Sequence, residues 1–372
     1  MVLSSSPAPR TVGGARSPPK GYRRGDFVGR EHSGKESVIS EDSRARTVRE
    51  LGEFAVIDRI NAGREQGAQV LLGPGDDAAL LAAPDGRFVV STDMLVEGRH
   101  FRLDWSSPTD IGRKAIAQNA ADVVAMGARP TGFVVALGCP ADTPVRVVEG
   151  IADGLWIEAA RAGGSVAGGD LVHSDQLVIS VTAFGDLGGQ SAITRSGAVE
   201  GDIVAVAGEL GWSAAGLAVL SSGAELSDPG FARALAAHRV PQPPYAEVVD
   251  VFGVHIPNAL TDVSDGLLAD LGHLAAASDV AIDVHAAALT DPDLDAVAAR
   301  LEADAGQWIL AGGEDHAFVG TWSSATALPP GWRPIGVVVA GSGVTVDGAR
   351  PTGVTGWESF RGAGAAAEPG KR

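Results

Sequence analysis

Strands and helices alternate through both halves of this 372-residue chain, which predicts an α/β or α+β protein of two domains. Three observations carry that expectation. Short β-branched runs such as "RFVVSTDML", "GFVVALG" and "RPIGVVVAG" read as strands. Capped segments of helical length separate them, above all "SPTDIGRKAIAQNAADVVAMGARP". Glycine, at 50 residues, and an aromatic share of only 5% point to small-residue packing and many tight loops.

Residues 1–45 are rich in Ser, Gly, Pro and charge, and read as a disordered tail or as a start codon placed too early. Order begins in "TVRELGEFAVIDRI", where Leu51, Phe54, Ile57 and Ile60 stand at helical spacing. "AALLAA" and "RFVVSTDML" follow as strands. The next helix has Ser107 or Thr109 as N-cap, apolar Ile111, Ala115, Ile116 and Val123, and stop signals at Gly127 and Pro130. Strand "GFVVALG", a helix over about 144–162 and strand "DQLVISVTAFGDL" complete the first half. The glycine-rich "GGQSAITRSGAVEGD" reads as a hinge, so the expected domains are 46–190 and 191–361, with a frayed end at 362–372. In the second half strand "IVAVAG", helices "GWSAAGLAVLSSG", 231–238 and "DGLLADLGHLAAASD", strand "VAIDVH", a helix near 292–303 and strand "RPIGVVVAG" repeat the mixture.

Against 29 Lys and Arg stand 46 Asp and Glu, a net charge of −17. That argues against nucleic acid as a partner, because phosphate backbones need basic clusters. Small phosphorylated substrates stay open if metal ions sit between carboxylates and phosphates. The one cysteine, Cys139, follows an apolar run and reads as a buried structural thiol. With no disulfide framework, no membrane-length apolar run and no signal peptide, a cytoplasmic location without a membrane partner is expected.

Gly-flanked acidic residues recur along the chain: Asp76 and Asp77 in "GPGDDAA", Asp93 in "STDMLVEGRH", Asp122 in "NAADVVAMGA", Asp170 in "AGGD", Asp262 and Asp265 in "TDVSDGLLAD", and Glu314 and Asp315 in "GGEDH". Singly, each has an ordinary explanation: a solvated turn for "GPGDD", an N-cap for "SDGL", a solvated helix face for Asp122. Asp122 is the most informative, lying mid-helix among apolar residues with Asn119 one turn earlier. Together, hydroxyls and carboxylates in this number are the ligand set of hard cations, Mg²⁺ above all, and would let an acidic protein hold ATP. There is no Walker A loop, no G-x-G-x-x-G, no H-E-x-x-H, no G-x-S-x-G and no cysteine pair, and the scattered histidines disfavour zinc.

The ordered set "GEFAVIDRI", "GPGDDAALL", "STDMLVEGRHF", "AIAQNAADVVAMGARP", "AGGD", "TRSGAVEGD", "DVSDGLLADLGHL" and "GGEDHAF" resembles the successive signatures of the thiamine-monophosphate kinases, over residues from about 51 to 360. The resemblance implies a two-domain PurM-like fold. Its N-terminal domain would bind ATP and Mg²⁺ and form a shared β-barrel across a homodimer, beside a C-terminal α/β domain. It implies direct in-line transfer of a phosphoryl group from ATP to thiamine monophosphate, giving thiamine diphosphate. By motif, Asp77, Ser91, Thr92, Asp93, Asp122, Asp170, Asp262 and Asp265 resemble magnesium ligands. Gly169, Asp170, Arg195 and Ser264 would contact ATP, and His100, Glu314 and Trp357 would line the acceptor site. Asp122, Asp170 and Arg195 would carry catalysis. For Arg195 a surface arginine in the hinge, and for Trp357 an anchor of the last turn to the core, are the competing structural roles. "NAAD" and "GGEDH" depart from the family pattern, which has Ser before the first Asp and Tyr after the second. The competing functions are another ATP-using member of the superfamily, or a non-catalytic divalent-metal-binding module. Selenophosphate synthetase would want a reactive Cys near the N-terminus, and the hydrogenase maturation protein a C-terminal Cys; neither is in this sequence.

Overall fold

The computed structural model describes residues 46–75, 78–250, 255–324 and 326–357. The expected tail over 1–45, the end at 362–372, and Asp76 and Asp77 lie outside the described residues.

The first half contains α1 (Val48–Leu51), α2 (Glu53–Asn61), β1 (Val70–Leu72), β2 (Leu80–Leu81), β3 (Val89–Val96), α3 (Pro108–Ala125), β4 (Arg129–Cys139), α4 (Val145–Ala162), β5 (Ser165–His173) and β6 (Val178–Asp186). The second contains β7 (Ile203–Ala207), α5 (Trp212–Ser222), α6 (Ala232–Arg239), α7 (Tyr245–Val249), β8 (Ala259–Val263), α8 (Leu267–Ser278), β9 (Ala281–Val284), α9 (Pro292–Arg300), α10 (Ala305–Ala311), β10 (Ala317–Trp322), β11 (Trp332–Val339) and β12 (Gly343–Val346).

The opening helix is split in two, because Gly52 takes φ 88° between α1 and α2. Leu51, Ile57 and Ile60 pack against the core as their spacing suggests, while Phe54 is exposed and Val56 is buried. Helix α3 starts as expected, with Ser107 and Asp110 closing a capping box around Pro108.

Strands β3, β6, β4 and β5 form one sheet in that order, antiparallel except for the parallel β4–β5 pair that α4 connects. Helices α3 and α4 cover one face of it. On the other face Val90, Met94 and Val172 are exposed. The second sheet has the order β12-β9-β11-β7-β10-β8. Val204, Val206, Val263 and Val319 pack with Leu235 of α6, Leu271 of α8 and Ile309 of α10. On the opposite face Ala205, Ala207, Leu260 and Phe318 join the core built around α3 and α4. Strands β8 and β10 are buried on both faces and show no alternation, so "ALTDV" and "AFVGTW" do not announce themselves in the sequence. Strand β5, with Gly168 and Gly169 in its middle, is hidden for the opposite reason.

Helices α3 and α4 cross so closely that a Cβ on Gly112 would stand 2.0 Å from the Ile151 carbonyl oxygen, and one on Gly154 2.0 Å from that of Thr109. Backbone atoms cannot yield as a side chain would. Gly154→Ala is expected to destabilise the protein by about 1–3 kcal/mol in denaturant unfolding. Gly272→Ala, on α8 with open space around it, should be neutral or stabilising. Equal midpoints for the two variants would contradict this packing.

Candidate active site

Three elements bring carboxylates together. The register of β3 sets Ser91 opposite Ala183 and Asp93 opposite Val181, on the sheet face that α3 covers. On α3, Asn119 and Asp122 lie one turn apart. Ser91 Oγ donates to Asp122 Oδ2 at 2.7 Å, and the Asp93 amide donates to Asn119 Oδ1 at 2.9 Å. Asn119 is held in turn by donating to the Ala115 carbonyl. From the other sheet, β8 pairs Asp262 with Phe318, on the face turned to α3. His316 Nδ1 meets Asp262 Oδ2 at 3.2 Å, and both side chains are buried. Burial, and then the charges of Asp262 and Asp93, push the Asp122 carboxyl up to about 7. Ser91, Asp93, Asp122 and Asp262 offer oxygen donors, the kind that suits a hard divalent ion such as Mg²⁺. Asp93 and Asp262 act on Asp122 through their charges, while among the described residues the three side chains whose ligand atoms lie within 4.8 Å of one another are Asp265, Asp270 and His273.

Thr92 and Asp170 are not part of this gathering. Thr92 faces away and donates to the Val181 carbonyl. Asp170 shares a row with Ala136, Ser180 and Met94, on the uncovered face of the sheet. From β3 to β5 is three strand spacings, about 14 Å. Gly169 lies beside it on the same edge strand.

A second group stands at the start of α8. Asp270 Oδ2 accepts from the Asp265 and Gly266 amides at 3.1 Å each. Burial, Asp262 and Asp265 raise its carboxyl to about 8. Asp265, Asp270 and His273 offer ligand atoms within 4.8 Å of one another. Burial and Asp262 also raise Asp265, against the opposing charges of His273 and Arg195. Arg195 Nε donates to Thr261 Oγ1 at 3.2 Å, which ties this hinge residue to β8. The Ser264 carbonyl accepts from the Glu314 amide, and the Asp265 carbonyl from the Trp357 amide. The indole of Trp357 is 57% exposed, so it does not anchor the last turn to the core.

The third group joins His100 to Glu314. Lys114, only 2% exposed on α3, donates from Nζ to the carbonyls of His100 and His238 and to the Glu314 carboxylate. Burial works against the charge on Glu314, but Lys114, with smaller help from His238 and His316, outweighs it and holds the carboxyl below the usual range. His100 Nδ1 accepts from the Val96 amide, and burial pushes its pKa down. Burial and Lys114 push His238 down to about 4, so its ring is neutral. Glu314 and His316 hold φ 64° and 51°, a left-handed conformation that costs non-glycine residues of order 1–3 kcal/mol. Between them Asp315 accepts from the Gly211 and Ser213 amides and caps α5. Lys114, His238 and Asp270 are the residues that sequence reasoning missed. For Lys114 a signal existed: Lys114, Gln118 and Asp122 form a polar stripe at i, i+4 and i+8 among the apolar residues Ala115, Ile116, Ala117, Ala120 and Ala121.

Two mixed sheets with α3 between them, and carboxylates converging from both sides, define a class. Residues 75–187 match the family model "AIR synthase related protein, N-terminal domain". A thiamine-monophosphate kinase of Mycobacterium tuberculosis is 56% identical over 317 residues, which is 84% of this chain and 93% of that relative. The crystal structure of thiamine-monophosphate kinase from Stenotrophomonas maltophilia aligns with TM-score 0.70 at 35% identity, over 80% of this chain and 98% of that one. A structure described as AaThiL complexed with AMPPCP and TMP aligns with TM-score 0.68 at 32% identity, over 85% and 99%. This chain belongs to the thiamine-monophosphate kinase family.

Burial lifts the Asp315 carboxyl to about 7. Between the ordinary aspartate range and that value the folded chain keeps a proton that the unfolded chain has lost, so this group's contribution to stability falls as pH rises. Asp315→Asn cannot ionise. Its stability relative to the parent is expected to improve steadily from about pH 4 to about pH 7, measured by urea unfolding across that window. A constant difference would show that Asp315 does not titrate there.

Proposed function

We propose that this protein transfers the γ-phosphoryl group of ATP to thiamine monophosphate, producing thiamine diphosphate and ADP. The observation that carries the reading is the gathering of Asp93, Asp122 and Asp262 by β3, α3 and β8, in a chain of this family. The relative bound to AMPPCP and TMP supports both substrates.

Asp93, Asp122 and Asp262, with Ser91, would hold Mg²⁺; Asp77, Thr92, Asp170 and Asp265 are proposed as further ligands from the motif match. Bound Mg²⁺ supplies charge neutralisation between two anionic reactants. Ser91 and Asn119 orient Asp122 and the β3 backbone for this task, and His316 orients Asp262. Gly169, Asp170, Arg195 and Ser264 would contact ATP, with the Arg195 guanidinium on its phosphates. The acceptor brings its own nucleophile: its phosphate is largely ionised near neutral pH, so no strong general base is required. An oxygen of that phosphate attacks the γ-phosphorus in line, and the bond to the β–γ bridging oxygen breaks as ADP leaves. His100 and Glu314 would line the acceptor site, and the exposed indole of Trp357 offers a face to a cationic ring.

We also propose a homodimer, a domain division near residue 190, and a cytoplasmic setting. The uncovered face of the β3–β6–β4–β5 sheet, with Val90, Met94 and Val172 exposed, is suited to a second copy.

Purified protein with MgATP is expected to release ADP and form thiamine diphosphate from thiamine monophosphate, and to use unphosphorylated thiamine poorly. Asp122→Asn should lower turnover on the order of 10²–10⁴-fold while the fold survives, since the change relieves carboxylate repulsion. Near-normal turnover in that variant would sink the metal reading, and indifference to thiamine monophosphate would sink the function. By light scattering the mass should be roughly twice 37.7 kDa, and a clean monomer would count against the shared sheet face.

A further inference from the structure

We infer that Lys114 is a positioning residue for the acceptor site: it clamps Glu314 against α3 and acts on thiamine monophosphate binding through that carboxylate. The inference rests on the function proposed above. An ammonium group has three protons to donate, and here each has a protein partner: the His100 carbonyl at 3.0 Å, the His238 carbonyl at 3.3 Å and Glu314 Oε2 at 3.0 Å. With its side chain 2% exposed, Lys114 has no donor left for a ligand. Glu314, by contrast, keeps 30% of its side chain open. The lysine is the buried support and the glutamate the exposed surface.

The three partners come from separate places: the turn after β3, the last turn of α6, and the loop leading into β10. Among the described residues, Lys114 is the ionic tie between α3 and that loop, whose Glu314 stands at φ 64°. A backbone in that region keeps its shape only when its surroundings over-determine it. Of the remaining groups facing Glu314, His316 meets Asp262 at 3.2 Å and acts on Glu314 less than Lys114 does. His238 Nδ1 lies 3.6 Å from Glu314 Oε2 and also meets Ser213 Oγ at 3.2 Å, and its ring is neutral. His100 is likewise pushed toward neutrality.

A specificity consequence follows. Lys114 already balances the charge of Glu314, so Glu314 meets its ligand as an oriented hydrogen-bond acceptor rather than as a free counter-ion. It selects for a donor group, such as an amino group on a flat heterocycle, more than for net positive charge.

The test is a double-mutant cycle with Lys114→Met and Glu314→Gln, reading KM for thiamine monophosphate, KM for ATP and kcat separately. Each single change is expected to raise KM for thiamine monophosphate on the order of tenfold or more, with KM for ATP nearly unchanged. In the Glu314→Gln background, adding Lys114→Met should raise KM no further, because the lysine acts through the glutamate. If Lys114→Met alone leaves a buried charge unpaired and does not fold, the comparison of Glu314→Gln with the double variant, which lacks both charges, still decides. A further rise in that comparison, or a parallel rise in KM for ATP, overturns the inference and leaves Lys114 a structural residue. Parent protein that ignores thiamine monophosphate overturns the functional reading itself; active parent protein with additive penalties overturns the inference alone.

Discussion

Burying charged and polar side chains on α3, a helix packed against both sheets, is the constraint on which the rest of the structure depends. Lys114, Asn119 and Asp122 all point into protein, and an unanswered charge there would be severely destabilising. Each must be met by a group from elsewhere in the chain. Lys114 is met by Glu314, 200 residues later, and by two carbonyls; Asn119 by the Asp93 amide and the Ala115 carbonyl; Asp122 by Ser91. Only Asp122 is left with more negative charge around it than the chain compensates, and that imbalance is what makes the place a site.

The same helix explains the layout of the first sheet. Gly112 and Gly154 let α4 lie almost backbone to backbone on α3, so two helices suffice to cover one face. On the other face Leu81 of β2 reaches Gly132, but Val90, Met94 and Val172 stay exposed. Alternation along β3 then divides neighbours by purpose: Ser91 and Asp93 turn to the helix, while Val90, Thr92 and Met94 turn outward. Asp170, placed by register with Met94, belongs to the outward set.

Helix α3 was the most legible element, because a Ser-Pro-x-Asp start and an apolar period are local features read from a few neighbouring residues. Strands β3, β4, β6 and β11 were legible for the same reason. Strands β8 and β10 were not, since a strand buried on both faces loses the alternation that marks a strand. The opening helix was legible in period, and of its four spaced apolar residues Leu51, Ile57 and Ile60 pack against the core while Phe54 does not.

The sequence by itself determined which residue types could do chemistry, and in what order they come: acidic groups beside glycine, one informative aspartate inside an apolar helix, and a set of motifs belonging to one family. Those are properties of short windows, and short windows survive without a fold. Tertiary structure alone decided that Asp93 and Asp262 come near enough to Asp122 for their charges to act on it, that Asp170 stands on the opposite face, and that Lys114 holds Glu314. Such meetings depend on strand register and helix crossing, which are set by packing between segments tens to hundreds of residues apart. A one-residue slip in β3 would turn Asp93 outward and Thr92 inward, with the same sequence and a different site.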